Sequence, residues 1–269
     1  MNPKTKKMLK RIGIGFFASI IILFVSIWCF ISCGIHIAGK GKVISHESWT
    51  NLLKKNVGSD GMVDYKGFIA EKNQLQSYLE LLSKNPPSKS WSENDKIAYW
   101  LNAYNAFTVK LIIDNYPVNS IKDLGPDNQI IFINTPWDKK FFSIGKKKMT
   151  LNNIEHRILR NSFKEPRIHF ALNCASISCP ALRNEAYNGT TLDTQLTEQA
   201  IAFLSDTARN QPNADHPKLS SIFNWYGGDM KKWSKLSLIE YINRYSPVKI
   251  NEKANIDYLK YDWNLNDKK

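Results

Sequence analysis

The chain has only four cysteines, at positions 29, 33, 174 and 179. Four thiols in 269 residues exclude a disulfide-built scaffold. Cys29 and Cys33 fall in an apolar N-terminal run, so no second Cys pair remains to complete a structural zinc set with Cys174 and Cys179. No metal and no cofactor are therefore expected. Acidic residues are also scarce: 24 Asp and Glu stand against 37 Lys and Arg, for a formal net charge of +13. A basic surface favours anionic partners. No Lys/Arg run is interleaved with aromatics in the manner of a nucleic-acid motif, so no nucleic-acid partner is expected. Internal repeats and low-complexity segments are absent, which excludes repeat architectures. What the chain does have is 43% hydrophobic residues, enough for a sizeable core.

From Ile12 to Gly39 there is no Lys, Arg, Asp or Glu. An apolar run of this length crosses a bilayer as a helix, with some tilt. The basic flank, residues 1–11, predicts a cytoplasmic N-terminus. The reading is a transmembrane anchor over 12–38, followed by an extracytoplasmic domain over 39–269. FISC, residues 30–33, offers a second reading, a lipoprotein-type signal ending at Cys33. Either way the domain is expected to be membrane-anchored outside the cytoplasm. An anionic envelope polymer or a peptide is then the expected partner.

Residues 46–57 and 69–84 show helical apolar spacing, separated by the breaker GSDG. Asn85, Pro86 and Pro87 stop the second helix. DKIAYWLNAYNAFTVKLIIDNY, residues 95–116, is apolar on every side, which marks a buried helix. FFSIGKKKMTL alternates around a glycine and predicts a small hairpin. Residues 150–161 predict a helix, RIHFAL (167–172) a strand, and LDTQLTEQAIAFLSDTARN another helix. KLSSIFNWYGGDM mixes a strand start with aromatics, and SKLSLIEYINRYSP closes as a short helix. The fold class is α+β: a mostly helical single domain around a buried central helix at about 95–115, with a small antiparallel sheet, preceded by an N-terminal transmembrane helix.

Some polar residues sit where apolar ones are expected. Asn102 and Asn105 share a face of the buried helix, where amides need partners. They line or brace a site, or are satisfied structural asparagines. In TLNNIEHRILRN, a wheel at about 100° per residue puts Glu155 inside the apolar stripe of Leu151, Ile154, Ile158 and Leu159. A carboxylate there is costly unless paired, so Glu155 is expected to be buried. His46 and His216 read as surface residues.

AYWLNAYNAF, TLNNIEHRILR and RIHFALNCASISCPALR, in this order, resemble the signature of the family known as domain of unknown function 547. SIFNWYGGDM is similar to that family's closing segment. The resemblance spans about residues 60–245 and implies no assigned activity. For bacterial members it is compatible with a Cys/His/carboxylate hydrolase.

Three chemistries fit His169, Cys174 and Cys179. One is a cysteine hydrolase or acyl transferase acting on peptide or amide bonds. Its nucleophile is Cys174, its base His169 and its orienting carboxylate Glu155, with Asn102, Asn105 or Asn173 supporting substrate or oxyanion. On an extended strand the five steps from His169 to Cys174 span roughly 16 Å, so the triad needs a sharp bend after Leu172. The second is a non-enzymatic binding or scaffold domain with a Cys174–Cys179 disulfide, a short staple that holds a local loop. The third is a metal site from His169, Cys174, Cys179 and His156, which the missing second Cys pair disfavours.

Overall fold

The computed structural model describes residues 39–130 and 132–268. Four helices open this part: α1 (Glu47–Asn56), α2 (Tyr65–Ala70), α3 (Lys72–Lys84) and α4 (Glu93–Ile113). The start of α4 is fixed by Ser92, whose hydroxyl accepts the Asp95 backbone N–H. Ile97, Tyr99, Leu101, Tyr104, Phe107 and Ile112 are all buried, so no face of α4 meets solvent over its middle. It packs against α2 and α3 on one side and against Asn153–Leu159 on another. The central helix expected at about 95–115 is therefore present.

The hairpin is present too. β1 (Phe142–Ile144) pairs antiparallel with β2 (Lys147–Met149), Phe142 opposite Met149. Gly145 makes the turn at φ 60, a backbone conformation that suits a residue without Cβ. A second pair escaped the sequence reading. β3 (Lys218–Ser220) runs parallel to β4 (Asp257–Leu259), bringing the C-terminal segment back onto the domain.

Two expected elements take other forms. Asn153–Leu159 is a π-helix rather than an α-helix. Its wider turn closes with the Arg160 N–H on the Glu155 carbonyl, five residues back. RIHFAL is not a strand. Pro166–Phe170 is a 3-10 helix, started by Pro166 and by a Glu165 carboxylate that accepts the Arg167 N–H. Six residues of alternation could not separate the two. The 3-10 turn sits between two cores. Ile168 and Ala171 belong to the larger core around α4. Phe170 belongs to the smaller one, with Phe203, Leu219, Phe223 and Tyr241. That second core lies among α5 (Leu192–Ser205), α6 (Ser221–Ser234) and α7 (Leu238–Asn243).

His46 is a further correction. It is buried, not on the surface, with Nδ1 2.7 Å from the Tyr78 hydroxyl. His216 is exposed, as expected.

The expected membrane anchor is corrected as well. Among the described residues no helix is long and apolar enough to cross a membrane. The run at 12–38 to which the anchor was assigned, with Cys29 and Cys33, lies outside the described residues. The membrane partner and the membrane-anchored location drawn from it have no supporting helix among the described residues.

Candidate functional site

The 3-10 helix delivers the chain into a loop that α4 grips. Asn105 of α4 donates through Nδ2 to the Ala171 carbonyl at 3.0 Å and accepts the Asn173 N–H through Oδ1 at 2.9 Å. One buried amide thus fixes both sides of Leu172. Asn173 in turn accepts the Ala175 N–H at 3.0 Å and donates to the Pro180 carbonyl at 2.8 Å. This closes the loop between residues 173 and 180. Asn102 holds the loop's far end, donating to the Tyr187 carbonyl and accepting its N–H. Both helix asparagines brace the loop through backbone groups.

The chain bends at Cys174. Ala175 follows in the left-handed region, at φ 60 and fully buried. Such a conformation costs an alanine on the order of 1 kcal/mol and persists where its surroundings over-determine it. Here they do: the Asn173 side chain holds the Ala175 N–H, and Asn266 donates to its carbonyl.

The bend brings the two cysteines together. Both are free thiols, with sulfurs 2.9 Å apart. Their surroundings differ. Cys179 is buried and receives the Cys174 backbone N–H on its sulfur at 2.9 Å. Cys174 is partly exposed, with the hydroxyls of Ser176 and Tyr261 each 3.3 Å from its sulfur. The Cys179 thiol beside it holds Cys174 below its ordinary range, burial opposes this, and the Tyr261 hydroxyl adds to the lowering. Burial and the adjoining Cys174 push Cys179 well above its own.

Next to the thiols lies a buried ionic cluster. Glu155 is buried, as the apolar stripe required, and accepts the Tyr226 hydroxyl at 2.8 Å. Burial pushes its carboxyl up. The flanking His156 and His169 rings, the Tyr226 hydroxyl and Arg160 outweigh that and hold it below its usual range. His169 is stacked on Tyr226 at 4.0 Å and bonded through Nε2 to Asp229 at 3.0 Å. A carboxylate only accepts, so His169 carries its proton on Nε2. Burial lowers its pKa despite Asp229 and Glu155. Asp229 also accepts Arg160 Nε, and burial notwithstanding its carboxyl is pulled down to about 2 by His169 and Arg160. Arg160 reaches His156 Nδ1 at 2.8 Å with another guanidinium nitrogen.

The residues read from the sequence thus have separate partners. Cys174 bonds to Cys179, Ser176 and Tyr261, His169 to Asp229, and Glu155 to Tyr226. Glu155 acts on Cys174 through its charge alone, raising its pKa. The membrane-tethered hydrolase or acyl transferase is corrected on these grounds. Its anchor has no helix among the described residues, and its imidazole is committed to Asp229 rather than to a thiol. The scaffold domain with a Cys174–Cys179 disulfide is corrected by the two free thiols. Among the described residues no group of three or more His, Cys, Asp or Glu is placed to hold a metal ion.

Ser176, Tyr226, Asp229 and Tyr261 went unread in the sequence. Tyr226 and Asp229 lie three apart in WYGGDM, the spacing that puts two side chains on one helix face. Tyr261 carried no such signal, since only the fold brings residue 261 to residue 174.

Residues 88–204 match the family described as a protein of unknown function, DUF547. The match covers less than half of the chain. It is narrower than the span of about 60–245 expected from the resemblance. No curated protein and no solved structure matches the chain. The DUF547 region contains Asn102, Asn105, Glu155, His169 and both loop cysteines. Tyr226, Asp229 and Tyr261 reach the site from outside it.

Proposed function

We propose that the protein carries out thiol–disulfide exchange, with Cys174 as the attacking sulfur and Cys179 as its resolving partner. One observation carries this reading: two free sulfurs 2.9 Å apart in unlike surroundings. The partly exposed Cys174 has donors around it and a lowered pKa, and the buried Cys179 has a raised one. An exchange pair needs that asymmetry, because the thiolate is the nucleophile and the second thiol must wait.

The Cys174 thiolate attacks one sulfur of a substrate disulfide. A mixed disulfide forms, and the first substrate thiolate leaves and takes a proton from solvent. Cys179 then loses its proton to solvent, helped by the Cys174 N–H that already points at its sulfur. Its thiolate attacks the Cys174 sulfur and the second substrate thiolate leaves. Two electrons pass from the dithiol to the substrate, leaving Cys174 and Cys179 joined in the oxidised product.

Glu155 is assigned as the charged wall of this site, with His169 as the buried ring behind it. Glu155 opposes thiolate formation at Cys174, and the Tyr226 hydroxyl holds it in place, the Tyr226 ring being stacked on His169. Asn105 and Asn173 are assigned as the loop's positioning residues, with Asn102 behind them. Exchange fits the geometry better than acyl transfer, since it needs no imidazole on the sulfur.

The test is a trapping experiment with an aromatic disulfide such as 5,5′-dithiobis(2-nitrobenzoic acid). Reduced Cys179→Ala accumulates a stable adduct on Cys174, seen by intact mass. The unaltered protein passes through that adduct to an intramolecular disulfide and releases two thiolates per chain. Cys174→Ala reacts far more slowly. Equal adduct lifetimes in the unaltered protein and Cys179→Ala defeat the reading.

A further inference from the structure

The thiol site is completed by the C-terminal segment, well outside the DUF547 region. We propose that Tyr261 is a catalytic hydrogen-bond donor to the Cys174 sulfur, one that adds to the effect of Cys179 in making this thiol reactive. The inference rests on the exchange reading of Cys174 and adds a residue and a segment to it.

The direction of the hydrogen bonds follows from counting protons. The Ser176 hydroxyl lies 3.1 Å from the Tyr261 oxygen and donates to it. A hydroxyl has one proton to give. With Ser176 donating to Tyr261, the Tyr261 proton is the one directed at the Cys174 sulfur, 3.3 Å away. The three groups form a relay, Ser176 to Tyr261 to Cys174, in which each bond polarises the next. Donation to a sulfur favours its charged form.

Tyr261 suits this work because it keeps its proton. Burial raises its pKa well above the ordinary phenol value, and the charges of Cys174 and Cys179 raise it further. The thiol therefore ionises first, and the phenol remains a donor to the thiolate.

The segment holds Tyr261 in position without needing its hydroxyl. On the loop side, Ile177 N–H donates to the Asn264 carbonyl at 2.9 Å and Ser178 N–H to the Asp262 carbonyl at 3.2 Å. Asp262 N–H donates back to the Ser178 hydroxyl at 2.8 Å. On the other side, Leu265 N–H donates to the Asn119 carbonyl, Val63 N–H to that of Asn266, and the Ser120 hydroxyl to that of Trp263. The ring itself packs against Trp225 and Trp263, with centroids 4.8 and 4.6 Å away. Removing one hydroxyl leaves all of these contacts.

The experiment uses the reduced full chain and follows iodoacetamide alkylation of Cys174 against pH, read by mass spectrometry. In Tyr261→Phe the midpoint of the profile moves up, and alkylation below it slows roughly three- to tenfold. The plateau at high pH is unchanged, because the sulfur is as accessible as before. 3-Fluorotyrosine placed at position 261 keeps ring and hydroxyl and donates more strongly, so its midpoint moves down. This second arm remains decisive if Tyr261→Phe folds poorly. An unmoved midpoint in both arms, or a changed plateau with an unmoved midpoint, overturns the role of Tyr261. If Cys174 of the unaltered protein alkylates with the pH profile of a simple thiol, the exchange reading itself fails, and the two failures are thus distinct.

Discussion

The backbone N–H of Cys174 donates to the sulfur of Cys179 at 2.9 Å. The attacking residue thereby offers its own amide to the sulfur that will displace its substrate. The Cys179 thiol is also the largest cause of the lowered pKa of Cys174. Cys179→Ala therefore makes Cys174 less acidic. The pH profile of its alkylation moves up, and the thiolate fraction at neutral pH falls. A profile that stays in place shows that the two thiols are not coupled.

Glu155 gives a prediction of opposite sign. Its charge raises the pKa of Cys174. In Glu155→Gln that charge is gone while Tyr226 keeps an acceptor, so Cys174 becomes more acidic and alkylates faster below its midpoint. A carboxylate that oriented a catalytic base would give the reverse, a loss of reactivity. Rates at pH 6 and 7 in the two proteins decide between them.

Asn105 ties the loop to α4 through two backbone groups. Asn105→Ala strands the Ala171 carbonyl and the Asn173 N–H in the core. Each buried group left without a partner costs about 1–3 kcal/mol, so urea unfolding is expected to show a loss of about 2–6 kcal/mol. The coupling of Cys174 to Cys179 weakens as well, because the same amide holds the bend. A loss under 1 kcal/mol would mean that water replaces the amide.

His46 makes stability depend on pH. Burial holds its ring down to about 4, against the pull of Asp95, from an ordinary value of 6.5. Between those values the unfolded chain binds the proton and the folded chain does not. Stability therefore rises with pH across this window and is lost as pH falls from 6.5 to 4. The total is worth roughly 3 kcal/mol. Urea unfolding from pH 4 to 7 measures it. His46→Asn, which leaves Tyr78 a partner but no titrating ring, flattens the slope by about one proton. A slope equal to that of the unaltered protein assigns the effect elsewhere.

Much of the architecture was legible because it depends on local pattern. The apolar circumference of α4 marked a buried helix, and the alternation around Gly145 marked a hairpin. Glu155 was legible as a misplaced carboxylate even though its helix is a π-helix, because either helix turns it toward the core. The 3-10 turn at Pro166–Phe170 was misread for a physical reason: a run of six residues is too short for periodicity to separate a strand from a single helical turn. The parallel pairing of β3 with β4 spans a separation that no local pattern records. Tyr261 depends on that pairing and was hidden for the same reason. His46 looked like a surface histidine because its partner Tyr78 lies on another helix, 32 residues away.

The central claim is that Cys174 and Cys179 form a working dithiol. The direct measurement equilibrates the protein in buffers of graded reduced and oxidised dithiothreitol, quenches with an alkylating agent, and counts free thiols at these two positions by peptide mass. Exchange predicts a single reversible two-electron transition in which both positions lose their label together, and which vanishes in Cys174→Ala and in Cys179→Ala. Two thiols that stay labelled across the whole range, or that oxidise independently of each other, contradict it.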